Sequence, residues 1–183
     1  QSGGVVVVGN NSAPENSRGV FEIANNGSRF NLTGGTLYIN RAQSSPQIAA
    51  FYLDPQNSTV NGDASIHMGY SNTPASQEIG IYSTVDLPKL VADNSSGNTP
   101  TIKQWVVPLT VTDTLLIQAG AEFDANGLDL TINGDYINDG TFTPNGNTTY
   151  FNGTTNQVVN GANTTPFYNL TYGSDQDFSI TND

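Results

Sequence analysis

The first candidates for chemistry in this chain are its carboxylates, its one imidazole and its one indole. Acidic residues gather at Glu122, Asp124, Asp129, Asp135 and Asp139, and glycoside hydrolysis uses two carboxylates about 5 to 10 Å apart. Asp135 and Asp139 stand beside Asn-Gly and Asp-Gly corners, where Asp is favoured because its side chain bonds the turn backbone. Turn chemistry therefore accounts for them without a site. A metal held by oxygen ligands alone points to calcium, and Asp124, Asp135 and Asp139 are its candidate ligands. Their spacing matches neither an EF-hand loop nor the nonapeptide of calcium-binding β-rolls. His67 has no second His and no Cys to join it, so it reads as a strand residue in Ser65-Ile66-His67-Met68 and not as a metal ligand or base. A lyase acting on anionic sugars needs a basic residue, and no Lys or Arg follows Lys103. No catalytic residue is assigned, and the chain reads as a non-enzyme. Trp105 is a candidate for stacking on a sugar ring. Tyr38, Tyr52, Tyr82, Tyr150 and Tyr168 lie inside apolar segments, where stacking between neighbouring strands is the expected use.

The elements that would position these residues are short. Apolar segments of strand length, such as Val20 to Ile23, Thr36 to Ile39, Ile48 to Leu53 and Glu78 to Tyr82, are cut by Gly, Asn or Pro. Seven Asn-Gly pairs punctuate the chain, at Asn26, Asn61, Asn126, Asn133, Asn145, Asn152 and Asn160. Both residue types tolerate positive φ and mark tight corners. From Leu109 to Ile117 odd positions are mostly apolar and even ones mostly Thr, the alternation of a strand with one buried face. Val5 to Val8 reads as a buried strand. Residues 83–104, with the cluster Asp93 to Asn98, read as an irregular surface region.

Composition narrows the partners. The net charge is −11, with only Arg18, Arg29, Arg41, Lys89 and Lys103 on the positive side, so no basic patch exists for nucleic acid or an anionic bilayer. No stretch is long and apolar enough to insert in a membrane. The chain has no cysteine, which removes disulfides and thiolate metal sites. Its start lacks the basic and apolar regions of a signal peptide, so a mature form or a fragment of a longer repetitive protein is expected.

Internal echoes point to a repeat. Asn57 to Gly62 resembles Asn147 to Gly153 at an offset of about 90 residues, and Ala24 to Asn40 resembles Asp124 to Asn138 at about 100. Short strands, corners and no helices fit one continuous right-handed parallel β-solenoid over residues 1–183, with a tandem β-sandwich as the alternative.

The segment from Gly140-Thr-Phe through Tyr150-Phe-Asn-Gly and Gln157-Val-Val-Asn-Gly to Phe167-Tyr-Asn-Leu resembles the repeat of very large, type IX-secreted surface adhesins of Bacteroidota. These include the giant adhesin of gliding flavobacteria. The close match covers about residues 109 to 172. The resemblance implies an extracellular filament or stalk at the bacterial cell surface. Its partners would be other segments of the same large protein, the outer-membrane secretion or anchoring machinery, and surface glycans. It also implies O-glycosylation at Asp-Ser/Thr-apolar sites, which Asp113-Thr114-Leu115 fits, making Thr114 the modification candidate. The alternative function is a carbohydrate-binding or polysaccharide-degrading β-helix protein.

Overall fold

The computed structural model describes residues 1–9, 18–43, 47–61 and 63–181; Gly62 of the Asn61-Gly62 pair lies outside them. Among the described residues all regular structure is β, with no helix. One sheet takes β1 (Ser2–Val8), β4 (Gly34–Ile39), β7 (Ala64–Met68), β9 (Lys89–Ala92), β12 (Leu115–Ile117), β15 (Tyr136–Asn138), β18 (Gln157–Asn160) and β20 (Phe178–Ile180), in that order. A second takes β2 (Phe21–Ile23), β5 (Phe51–Leu53), β8 (Glu78–Ser83), β10 (Thr101–Gln104), β13 (Glu122–Asp124) and β16 (Thr141–Thr143). The third position is split. There β3 (Arg29–Leu32) pairs with β6 (Asn57–Val60), while β11 (Leu109–Val111), β14 (Leu130–Ile132), β17 (Thr148–Phe151) and β19 (Asn169–Tyr172) form a separate run.

Every pairing between these strands is parallel. The tandem β-sandwich is thereby set aside, because its hairpin-connected strands pair antiparallel. Parallel neighbours need a long connection, and here each connection runs through the other sheets. Phe21 pairs with Phe51 and Phe51 with Ile81, thirty residues apart each time, whereas Glu122 pairs with Thr141 after only nineteen.

Side chains alternate inward and outward. Leu115 and Ile117 are buried with Leu116 half-exposed between them, and Leu130 and Ile132 flank Thr131 likewise. The inward residues form one continuous core from Phe30 to Val159, in which Phe51, Phe123, Phe151 and Tyr136 are fully buried. Each such side chain contributes about 1.5–3 kcal/mol of burial. The alternation changes phase at a fixed place. Phe123 and Ala125 are inward in β13 and beyond it, but Leu130 is inward in β14; Phe142 is inward in β16, but Thr149 in β17. Between them sit Asn126-Gly127 and Asn145-Gly146, each pair with positive φ at both residues, the corner the Asn-Gly pairs foretell.

Three expectations are corrected. Residues 83–104 are not an irregular region: β9 and β10 lie in the first and second sheets, and only the Asp93 to Asn98 turn matches the reading. Leu109 to Ile117 is not one strand. Thr112, Asp113 and Thr114 form a corner between β11 and β12 in different sheets, and this three-residue corner preserves the phase, so Leu109, Val111, Leu115 and Ile117 all face inward. Val5 and Val6 are 64% and 41% exposed, because β1 is the last rung of its sheet and covers one side only. The echo of Ala24 to Asn40 in Asp124 to Asn138 falls on like elements but not on like facings, since Tyr38 points outward and Tyr136 inward. β4 and β15 occupy the same sheet four rungs apart, and the corners that follow β2 and β13 both carry left-handed glycine, at Gly27 and Gly127.

Buried amides and corner carboxylates tie successive rungs together. Gln157, almost fully buried, donates to the carbonyls of Ile132 and Gly134 and accepts from Gly153 N–H. Asp129, Asp135 and Asp139 accept the backbone N–H groups of Thr148, Val158 and Ala162 at 3.1, 2.9 and 2.9 Å. Backbone donors without a ladder partner are satisfied in this way, buried at Gly153 and half-buried or exposed at the three carboxylates.

Candidate functional site

Trp105 follows β10 at the corner leading to β11. Its N–H bonds the Ile81 carbonyl at 2.8 Å, which places Trp105 beside Tyr82 in the outward-facing row that also holds Tyr52. Tyr52 and Tyr82 stack with centroids 4.3 Å apart and planes at 1°, so these rings spend their faces on each other. Burial and the mutual hydroxyl contact with Tyr52 raise the Tyr82 phenol above its ordinary value. Trp105 differs: among the described residues its ring makes no aromatic contact and its indole N–H no hydrogen bond. It lines a groove of about 480 Å³ with Gln47, Lys103, Val106, Asn126 and Leu128.

The backbone here is unusual. Val106 has φ 67°, and Val107 N–H bonds back to the Trp105 carbonyl at 2.8 Å, which together describe a tight γ-turn of the rare, strained hand. A β-branched residue at positive φ is a clear outlier. Register explains the position: Lys103 pairs with Asp124 and Asp124 with Thr143, so Val106 stands where the next two rungs have Gly127 and Gly146. The turn is held from beneath. Fully buried Gln104 donates to the carbonyls of Val107 and Asp129 at 3.1 and 2.8 Å, and Asn126 donates its amide to the Gln104 carbonyl at 3.2 Å.

A second constellation lies on the outer face of the first sheet. His67 Nδ1 is 2.7 Å from Asp93 Oδ2, with side chains 18% and 2% exposed. Burial pushes Asp93 upward, but hydrogen bonds from His67 and Ser95 and the charge of His67 outweigh it, leaving the carboxyl below its ordinary value. An ionised carboxylate only accepts, so His67 Nδ1 carries the proton of this bond. Tyr38 tilts over the imidazole at 4.6 Å and contacts Tyr70 at 4.7 Å. Burial, with the Asp93 charge adding to it, raises the Tyr38 phenol. The Ser95 hydroxyl and backbone N–H donate to the other oxygen, Asp93 Oδ1, so the carboxylate is shared between His67 and the turn that follows β9. Sequence reasoning missed it because Asp93 lies 26 residues from His67.

The calcium candidates are not brought together. Asp124 ends β13 and accepts from Asn126 N–H and the Asn145 amide; Asp135 precedes β15 and Asp139 follows it, each bonded to the next rung. No cluster of three His, Asp or Glu residues occurs among the described residues. Thr114 is half-buried, its hydroxyl donating to the Asp113 carboxylate at 3.1 Å in the corner between β11 and β12. Tyr168 is 68% exposed, while Tyr136, not singled out in the sequence, is the fully buried tyrosine. Burial raises its phenol steeply, and the Thr165 hydroxyl offsets a part. A larger notch of about 570 Å³ opens beside β6, lined by Ser58, Thr59, Thr84 and Asp86, and carries no aromatic ring.

A scan against protein-family models and searches of curated proteins and of solved structures return no match for this chain.

Proposed function

We propose that the chain is a segment of right-handed parallel β-solenoid that serves as a structural and adhesive module of a secreted bacterial surface filament or stalk. The observation that carries this reading is the unbroken parallel ladder of eight strands, with one continuous core beneath it. In such an arrangement each coil is stabilised by its neighbours, so rigidity accumulates along the axis. The residues behind the resemblance to surface adhesins are those that build coils. Thr141 and Phe142 open β16, Tyr150 and Phe151 close β17, Gln157 caps the corner from inside, and Phe167 packs against the core before β19. The end rungs carry exposed apolar side chains, Val5 and Val6 on one side and Leu170 and Ile180 on the other, a chemistry suited to pairing with further coils of the same large protein. Export through the outer-membrane secretion machinery and contact with surface glycans belong to the same proposal.

Antibodies raised against the purified chain are expected to label intact cells of the producing organism, and loss of the gene to reduce surface filaments or attachment. Labelling that requires permeabilised cells would sink the surface assignment. Release of reducing sugar from a polysaccharide panel by the purified chain would replace the structural reading with the enzymatic one.

A further inference from the structure

We propose that the Trp105 groove binds a neutral saccharide chain. Four observations converge on it. Trp105 is the single tryptophan of the chain, and among the described residues it is the half-buried aromatic of the outward row of the second sheet that has no ring partner and no hydrogen bond to its indole N–H, whereas Tyr52 and Tyr82 stack on each other. An apolar face with a polar tip is the chemistry that packs on a pyranose ring while bonding a hydroxyl.

The local coil rule is broken here and nowhere else in the following rungs. Asn126-Gly127 and Asn145-Gly146 turn the chain without strain, but at this rung Trp105 and Val106 take their places and Val106 accepts φ 67°. Local departures that the surrounding structure holds in place cluster at binding sites. Gln104 and Asn126 supply that hold, fixing the carbonyls of Val107 and of Gln104 itself. The turn thus presents the indole in a set orientation, as a binding site requires.

The lining selects the ligand class. The lining is neutral and mixed: Gln47 and Asn126 bring amides, the Asn126 amide giving one hydrogen to the Gln104 carbonyl, and Val106 and Leu128 extend the apolar floor. The Lys103 ammonium is already 3.4 Å from Glu78, and the chain carries a net charge of −11, so a polyanion would be repelled. Proline-rich peptides dock in grooves lined by several aromatic rings; this groove has one.

The single tryptophan makes the test direct. Soluble neutral gluco-, manno- and galacto-oligosaccharides are titrated into the full chain while indole emission is followed, and retardation is measured by electrophoresis through gels containing the matching polysaccharides. A saturable shift in emission with at least one neutral series is expected. Trp105→Ala should weaken retardation about tenfold or more, the effect of losing an aromatic anchor, and Trp105→Phe should retain part of it, with circular dichroism unchanged in both. If Trp105→Ala fails to fold, Lys103→Ala and the emission titration decide. Binding that survives Lys103→Ala supports the neutral ligand. Binding confined to acidic saccharides, or abolished by Lys103→Ala, overturns it. So does a shift caused by a proline-rich peptide and by no saccharide, or equal retardation of folded Trp105→Ala and the unsubstituted chain.

Discussion

Replacing Val106 tests whether its backbone is strained, and the informative comparison is between Val106→Ala and Val106→Gly. Both remove the branched side chain, which is 66% exposed and so loses little burial, and they differ in one Cβ. At an ordinary extended position Gly is less stable than Ala by about 0.5–1 kcal/mol, because it loses more freedom on folding. At φ 67° an L side chain costs about 1–2 kcal/mol that glycine avoids. The balance favours Val106→Gly over Val106→Ala by about 0.5–1 kcal/mol, or about 1–4 °C in melting temperature for a chain of this size. Thr131 supplies the control: it is half-buried, outward-facing and extended in β14, so Thr131→Ala should be more stable than Thr131→Gly. Thermal unfolding followed by circular dichroism reads both pairs. If Val106→Ala is at least as stable as Val106→Gly, the turn is not strained and the reasoning fails.

Gly69 offers a harsher test. A Cβ there would stand 2.1 Å from the Asp93 carbonyl oxygen, and φ is 120°. Gly69→Ala should therefore cost more than about 3 kcal/mol in denaturant unfolding, and a loss below about 1 kcal/mol would show that the corner yields. Acid sensitivity follows from Asp93, whose carboxyl lies below its ordinary value. A depressed carboxyl contributes stability that is full above the unfolded-state value, about 3.9, and is lost as pH falls through the lowered one. Asp93→Asn should flatten the decline of stability below about pH 4, and an unchanged acid limb would show that Asp93 is not its source.

Much of the fold is legible because its rules are local. Alternating burial and Asn-Gly corners specify strands and turns within a few residues, as in Leu130–Ile132 after Asn126-Gly127. Where the rule is preserved across a corner, the corner is invisible. Thr112 to Thr114 continues the alternation of Leu109 to Ile117, so two strands read as one. Between 83 and 104, Pro88, Pro100 and the Asn-Ser cluster hide Lys89–Ala92 and Thr101–Gln104, four-residue strands too short for periodicity to declare. The partner of His67 depends on coil length, since Ser65 pairs with Lys89 after twenty-four residues while other rungs are spaced differently. Trp105 was visible as an aromatic; its setting was not, because the signal is a missing Asn-Gly pair that shows only once Val106 is aligned with Gly127 and Gly146.

The phase change at the corner between the second and third sheets has an arithmetical consequence. A circuit with one reversal contains an odd number of residues, unlike the even circuits of the earlier rungs, such as Phe21 to Phe51 and Ser65 to Lys89. The later rungs obey: Glu122 to Thr141 is nineteen, Leu115 to Tyr136 twenty-one, Tyr136 to Val159 twenty-three and Leu90 to Leu115 twenty-five. Length here changes in twos. Insertion of a residue pair at a corner of these later rungs leaves the inward side chains inward, whereas a single residue sends the following strand's Leu and Ile into water, so this part of the chain grows and shrinks by dipeptides.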